Sequence, residues 1–320
     1  QVGTGAFFLS EYVIGSHFAW ERNPNYWKTT TIDGVEYQLP FIDELVAPII
    51  VDKATEMAAL QTGTLDYTSV GSAYWNVFAE QSPEMLWAQG SGFGFGFGFK
   101  SDEPPFDDAE VRRAMMVGFD FAAMETFKGY PMPTIWQPFQ EGDPSYIPLE
   151  ELPADIQILY EYNPELAMQM LADAGYPDGL TFEYYMGAYS VWEDEAALYK
   201  DMWSKIGVTL DIVVEDFGTY EKRTVEANYT GGILDWFFVA DPVQSMRKNM
   251  TGDFDNRALW SNERYDELMS QVVQEPDVDV RGRLMKEASL IVLYDVPVLP
   301  TYLGPGRIYW WPWIKNFYGE

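Results

Sequence analysis

The chain has 320 residues, of which 50 are acidic and 20 are basic, so its formal net charge is −30. A field of this sign repels phosphate groups, which argues against nucleic acids and anionic membrane surfaces as partners. The sequence contains no cysteine and a single histidine, His17. Disulfides, thiolate metal sites and thiol catalysis are therefore excluded, and we expect neither a metal nor a cofactor.

The chain is long enough for about two domains of roughly 150 residues each. Its hydrophobic content of 47% indicates a folded protein rather than a disordered acidic segment. No run approaches the roughly 18 apolar residues that a membrane-spanning helix needs. The chain opens with Gln1-Val2-Gly3, without an initiator Met or a signal-peptide pattern, and we interpret this start as a position inside a longer protein.

The first 50 residues have the pattern of β-strands, with Gly15-Ser16 as a turn between two of them. A short helix is predicted to begin after Asp52 and to end near Gly63, because Asp is a common helix cap and Gly a common stop.

The segment from Gly92 to Phe99 alternates glycine with phenylalanine. In a strand, this period of two places four rings on one face and four glycines on the other. Two interpretations follow. The segment is a buried core strand whose bare face lies under a helix, or it is a strand on the floor of a ligand cleft, where glycine lets a ligand approach closely.

Pro104-Pro105 ends this strand and is the predicted boundary between domains. Helix starts are predicted beyond it at Asp107 to Glu110, which has the spacing of a capping box, at Asn163-Pro164 and at Asn262. Helical and strand patterns alternate from about residue 105 to 295, which indicates an α/β or α+β fold.

No catalytic motif stands out. Among 50 carboxylates, acidic pairs occur by chance, so none indicates a glycosidase by itself. The run from Asp253 to Asn256 alternates oxygen ligands but lacks the Gly and Glu of a calcium loop, so we predict a solvated turn. The glycines from 92 to 98 do not form a phosphate-binding loop. His17 lies in a strand-like stretch, and we predict a structural role for it.

Seven short segments occur in the same order in one known family. They are Gly3–Phe7, Glu21–Trp27, Ala58–Asp66, Pro105–Ala114, Tyr162–Tyr176, Tyr199–Gly207 and Pro297–Pro300. The second of these, ERNPNYW, matches a family element almost residue for residue. On these segments the chain resembles the family 5 extracellular solute-binding proteins of ABC importers, which include dipeptide-, oligopeptide- and nickel-binding members.

The resemblance implies an α/β Venus-flytrap fold, like that of type II periplasmic binding proteins, in which two lobes close over a ligand. Family members are longer, so the first lobe is expected to be incomplete in this chain. Residues 1–103 would form part of the first lobe, residues 104–296 the second lobe, and residues 297–320 the return to the first. The hinge strands would be Phe93–Lys100 and Pro297–Leu303.

One departure from the family bears on the ligand. Peptide-binding members carry a Trp-x-x-Asp element whose carboxylate pairs with the α-ammonium group of the peptide. Trp236 aligns with that tryptophan, and Val239 then falls on the position of the acid. A buried ammonium group without a partner is unfavourable, so Val239 disfavours a free peptide amino terminus. A shift of two residues in this loop would instead make Asp241 the anchor.

This departure favours an oligosaccharide or another ligand without an α-amino group, while a modified peptide or a metal chelate stays open. Direct ligation of nickel is disfavoured because the chain has a single histidine. Six residues are predicted to contact the ligand: Trp236, Phe238, Val239, Asp241, Phe93 and Phe95. Trp236 would stack on it, the rings at 93 and 95 would line the hinge side, and residues 238 and 239 would shape the pocket floor. Core packing is the competing interpretation for each.

The function expected from the resemblance is that of a non-enzymatic substrate-binding component that delivers a solute to the membrane permease of an ABC importer. It would act as a monomer, by lobe closure, in the periplasm or outside the cell, with a lipid anchor as one possibility. The first alternative is an oligopeptide-binding protein of the same family. The second is a secreted carbohydrate-active enzyme, which would turn its substrate over. The charge of −30 also suits a salty habitat, where salt screens self-repulsion.

Overall fold

The computed structural model of the chain describes residues 3–90, 93–129, 143–238, 242–303 and 306–317. The helices within these ranges are α1 (Lys53–Gln61), α2 (Trp75–Gln81), α3 (Ala109–Val117), α4 (Phe121–Lys128), α5 (Ala154–Gln157), α6 (Pro164–Asp173), α7 (Ser190–Ser204), α8 (Phe217–Val225), α9 (Pro242–Arg247), α10 (Glu263–Gln274) and α11 (Val278–Asp295). The strands are β1 (Phe7–Val13), β2 (His17–Arg22), β3 (Thr29–Ile32), β4 (Val35–Gln38), β5 (Glu44–Pro48), β6 (Tyr67–Val70), β7 (Leu86–Gly90), β8 (Phe93–Phe99), β9 (Leu180–Gly187), β10 (Val208–Glu215), β11 (Gly232–Phe238), β12 (Val298–Leu303) and β13 (Gly306–Trp310).

The described residues fall into two compact units. The smaller unit takes those within Gln1–Val70, Val77–Leu86 and Tyr309–Asn316, and the larger takes those within Gly71–Asn76, Trp87–Ile308 and Phe317–Glu320. The lobe boundaries expected from the family resemblance, after residues 103 and 296, stay a prediction.

The smaller unit begins with an antiparallel sheet in which β2 lies between β1 and β5. The turn predicted at Gly15-Ser16 connects β1 to β2, and Ser16 N donates to Val13 O at 3.0 Å. Gly15 has a φ of +72°, a conformation that costs glycine little. The helix predicted after Asp52 is α1, and the Asp52 carboxylate accepts a hydrogen bond from Thr55 N at 2.8 Å. Both predictions are confirmed.

The larger unit is built on a five-stranded sheet of order β10–β9–β11–β8–β12. The pairs β10/β9 and β9/β11 are parallel, whereas β11/β8 and β8/β12 are antiparallel. The connections between the parallel strands carry helices, as a βαβ unit requires: α7 lies between β9 and β10, and α8 between β10 and β11. The alternation of helices and strands predicted from the sequence is confirmed.

The part of the glycine–phenylalanine segment from Phe93 to Phe99 is strand β8, an interior strand of this sheet between β11 and β12. Phe97 and Phe99 are fully buried in the main hydrophobic core, where the Phe97 ring stacks on Tyr184 with centroids 4.4 Å apart. On the glycine face, a Cβ added at Gly98 would lie 3.3 Å from Ile233 Cγ2. The core interpretation is therefore confirmed for the second half of the strand. The groups nearest to the glycine face come from the neighbouring strands rather than from a helix.

The helix starts predicted at Asn163 and Asn262 are confirmed. The Asn163 side chain accepts from Leu166 N at 3.0 Å at the start of α6, and Asn262 accepts from Tyr265 N at 3.0 Å at the start of α10. Pro164 is the first residue of α6, where its missing N–H would have no helical partner in any case.

The capping box predicted at Asp107 to Glu110 is wrong by one residue. The cap of α3 is Asp108, whose carboxylate accepts from Glu110 N at 2.8 Å. Asp107 belongs to the preceding turn, because its N–H donates to Glu103 O at 3.0 Å. Glu110 pairs instead with Arg113 Nε at 3.3 Å.

The run from Asp253 to Asn256 is a turn, as predicted, but it is only partly solvated. Phe254 is exposed, whereas Asn256 is buried. The Asn256 amide donates to Met250 O at 3.0 Å and to Trp260 O at 2.8 Å, so it ties the turn to the chain segments before and after it.

Candidate ligand-binding site

Four of the six predicted ligand contacts lie on two neighbouring strands. In the antiparallel register of β8 and β11, Trp236 lies opposite Phe95 and Phe238 lies opposite Phe93. Directly opposed residues of an antiparallel pair project from the same face of a sheet. The structure describes only the backbone of Phe93 and Phe238. Val239 and Asp241 lie outside the described residues, so their predicted roles stay predictions.

Trp236 has one ring face covered by a cation. The Arg257 guanidinium carbon lies 3.4 Å from the centroid of the Trp236 ring, a close cation–π contact. Trp236 is half-buried and packs against the main hydrophobic core. A ligand can therefore stack on no more than the other face of this indole.

Arg257 is held in place by groups from two elements. Its Nη1 donates to Tyr220 Oη at 2.8 Å, and its Nη2 lies 3.5 Å from a carboxylate oxygen of Glu221. Tyr220 in turn donates to Leu234 O at 2.6 Å. Burial raises the pKa of Tyr220, so its hydroxyl stays protonated and can serve both bonds. The cation that covers Trp236 is thereby fixed to α8 and β11.

Asp235 is a buried carboxylate that supports the same strand. Its Oδ1 accepts from Lys248 Nζ at 2.6 Å and from Trp236 N at 2.8 Å, and Arg257 Nε lies 3.9 Å away. Lys248 also donates to Trp236 O at 2.5 Å. Two cations thus compensate one buried negative charge. All three contacts fall on Oδ1, whereas Oδ2 is buried without a hydrogen-bond partner in the described ranges.

Further aromatic side chains extend this end of the sheet. The Phe95 ring lies 6.0 Å from Trp192, at the start of α7, and Trp192 lies 4.8 Å from Tyr189. Tyr189 is 60% exposed, so the group reaches solvent. We call Phe95, Trp236, Trp192 and Tyr189 the aromatic patch.

Sequence reasoning did not find Trp192, Tyr189 or Arg257. The closely spaced aromatics of Tyr189 and Trp192 are a weak signal that could have directed attention to this helix start. No local pattern relates Arg257 to Trp236, because the two are 21 residues apart and meet only in the folded chain.

Other kinds of site receive no support from the described ranges. They contain no group of three or more histidine or acidic side chains that could hold a metal ion. None of their helices combines the length and apolar character needed to cross a membrane. An open cavity of about 710 Å³ in the smaller unit is lined by residues between Gly3 and Trp27, and none of the six predicted contacts lines it.

His17 takes the structural role predicted for it. Its ring lies in β2, with Nδ1 2.9 Å from Ser16 Oγ and Nε2 3.3 Å from a Glu11 carboxylate oxygen. These partners lie on the same hairpin, so the histidine ties β1 to β2.

Comparison with known proteins identifies the family. The model of the bacterial extracellular solute-binding proteins, family 5 middle, matches residues 1–257. Heme-binding protein A of Haemophilus influenzae is 26% identical over 99% of this chain and 57% of its own length. The probable deoxycholate-binding periplasmic protein YgiS of Escherichia coli is 24% identical over 95% of this chain and 56% of its own length.

The solved structures agree on the fold. The periplasmic binding protein DppA of Helicobacter pylori, in complex with the peptide STSA, superposes with a TM-score of 0.80 at 19% identity. The match covers 96% of this chain and 59% of DppA. The expected fold of type II periplasmic binding proteins is confirmed, and the chain spans a little over half the length of the curated relatives it matches. The chain belongs to the family 5 bacterial extracellular solute-binding proteins.

Proposed function

We propose that the protein is the solute-binding component of an ABC importer and that it presents a peptide-sized solute to a membrane permease from the periplasm. The match of the family model to residues 1–257 carries this proposal. The protein would bind without turning its ligand over. The relatives named as heme-, deoxycholate- and peptide-binding proteins support a solute of this size.

Among ligand classes we propose a peptide in preference to an oligosaccharide. The preference for an oligosaccharide rests on Val239 alone, whereas further relatives that this chain matches at 21–24% identity are di-, tri- or oligopeptide-binding proteins. The prediction from Val239 stands beside this proposal: the peptide would not have a free amino terminus.

The aromatic patch suits the proposed role. Trp236 offers one ring face, while Arg257 covers the other face and Lys248 donates to the Trp236 carbonyl oxygen. A rigid, preorganised ring loses little conformational entropy when a ligand stacks on it. Contacts made only when two lobes approach each other would favour the closed state, which is the mechanism we propose for capture.

Native mass spectrometry of the full-length protein, gently purified and then denatured, tests this function. We expect a mass excess that disappears on denaturation and whose fragmentation gives a peptide. A bound compound whose fragments differ by the mass of a sugar unit would instead support an oligosaccharide as the ligand. A peptide with a free amino terminus would contradict the prediction from Val239.

The enzymatic alternative is tested on the same sample. Incubation with the identified solute should return it unchanged, with saturable binding and no product. Accumulation of a hydrolysed product would overturn the proposal in favour of a carbohydrate-active or other hydrolytic enzyme.

A further inference from the structure

Arg307 lies between two tryptophan rings. Its guanidinium carbon is 3.9 Å from the Trp75 ring centroid and 4.1 Å from the Trp87 ring centroid. The three residues belong to the larger unit and come from β13, from the first turn of α2 and from β7. Arg307 is half-buried and Trp87 is 49% exposed, so the sandwich reaches the surface.

Within the described ranges, three other arginines also stack on aromatic rings, and each donates a hydrogen bond through at least one of its N–H groups. Arg113 Nε is, like Arg307 Nε, buried without a hydrogen-bond partner. Arg113, over Tyr294, donates to Asp155 O at 3.0 Å. Arg223, over Tyr185, donates to Glu215 at 2.8 Å. Arg257 has Tyr220 and Glu221, as described above. In these three cases the ring stacks on a guanidinium that also donates in-plane hydrogen bonds to other residues.

The edge of Arg307 is not engaged. Its side chain makes no hydrogen bond or ion pair with any residue in the described ranges, and its Nε is buried without a hydrogen-bond partner. Indole faces stabilise a cation through its planar faces but do not accept its in-plane N–H bonds. A partly buried cation with unused donors is unfavourable unless an acceptor arrives.

The donors of a guanidinium form a planar fork that matches a carboxylate in two parallel hydrogen bonds. The two indoles add flat apolar surface beside that fork. The net charge of −30 disfavours anions that carry several charges, such as phosphate esters, more than it disfavours a single carboxylate. These features together favour a single carboxylate attached to an apolar or planar group.

We propose that Arg307, with Trp75 and Trp87, binds the carboxylate of the solute, and that the solute class is an apolar monocarboxylate such as the carboxyl end of a peptide with an apolar last residue. This rests on the proposed solute-binding function. Arg307 would bind the carboxyl end of a peptide, whereas the prediction from Val239 is about its amino terminus.

Benzoate and benzamide are the probes for this site, because they have nearly the same shape and differ in charge. In full-length protein with ¹⁵N-labelled arginine, we expect benzoate to shift the Arg307 Nε–H signal at millimolar concentration. Benzamide should act at least tenfold more weakly. In Arg307→Gln the benzoate affinity, followed by tryptophan fluorescence, should fall at least tenfold.

Arg264→Gln is the matched control, because it removes the same charge from an exposed arginine that already pairs with Glu267 and Glu287. It should leave benzoate binding unchanged. The comparison of benzoate with benzamide needs only the wild-type protein, so it stands even where Arg307→Gln fails to fold. A purely structural Arg307 would show no preference between the two probes.

The proposal is overturned by equal responses to benzoate and benzamide, by no response to either, or by unchanged benzoate affinity in a folded Arg307→Gln. Each of these outcomes is separate from failure of the proposed function. That function fails when full-length protein carries and transports no solute, a result that leaves a benzoate response at Arg307 intact.

Discussion

Gly96 is required by the side chains that surround β8. A Cβ at this position would lie 2.5 Å from Val298 Cγ1 and 3.0 Å from Leu299 O, both on the neighbouring strand β12. Gly96→Ala should therefore lower the free energy of unfolding by about 1–3 kcal/mol, the usual cost of overpacking a core. Urea denaturation of the two proteins measures the difference.

Gly71→Ala is the control for that prediction. Nothing lies within 4 Å of a Cβ at Gly71, and its φ of −66° is ordinary for alanine. The change in unfolding free energy should stay within about 0.5 kcal/mol. If Gly96→Ala were as stable as Gly71→Ala, β12 would be able to move aside for a methyl group. Close packing against β12 would then not be the reason for glycine in β8.

Helices α4 and α7 are tied by a buried ion pair between Lys128 and Glu195. The Lys128 side chain is 9% exposed and the Glu195 side chain 2%. Burial raises the pKa of Glu195 and lowers the pKa of Lys128, and each charge opposes the shift of its partner. Glu195→Gln would leave the ammonium group without this carboxylate, so we expect a loss of about 3–5 kcal/mol in unfolding free energy.

The double variant Lys128→Met/Glu195→Gln separates charge from packing. Because it removes both charges, it should regain most of the stability lost in Glu195→Gln, as measured by chemical denaturation in a double-mutant cycle. Additive losses in the two single variants would show that the ion pair contributes no coupling and that the two helices are held by packing alone.

The surplus of 30 negative charges acts on the protein as a whole. Self-repulsion destabilises a compact state, and it is screened over about 3 Å at 1 M salt, against about 30 Å at 0.01 M. We expect the midpoint of thermal unfolding to rise by at least ~4 °C from 0.01 M to 1 M NaCl, equivalent to roughly 3 kcal/mol for a chain of this length. Differential scanning calorimetry measures the midpoint.

A comparison at equal ionic strength identifies the cause of that rise. Sodium sulfate strengthens burial by exclusion from the protein surface as well as by screening, whereas sodium chloride acts mainly by screening. The rise should be present in chloride and larger in sulfate. A rise in sulfate alone would show that charge repulsion has little effect on stability.

The sequence by itself determined the features that depend on neighbours within a few residues. The caps at Asp52, Asn163 and Asn262 could be predicted because a cap and the N–H group it accepts from are separated by two or three residues. The period of two in β8 and the order of the family segments are likewise read directly along the chain. Even here the predicted start of α3 was wrong by one residue. Asp107 and Asp108 are both suitable caps, and only the turn that precedes α3 decides which of them caps the helix.

Only the tertiary structure decided which distant side chains meet. The contact of Arg257 with Trp236, the two cations on Asp235 and the placement of Arg307 between Trp75 and Trp87 depend on strand order and on the paths of the connecting segments. Periodicity specifies which face of a strand is apolar, but it does not specify which strand lies beside it. The sequence therefore predicts the part of the candidate site that lies on β8 and β11, where register places Phe95 opposite Trp236. It does not predict the cations that support that site, nor the position of Arg307.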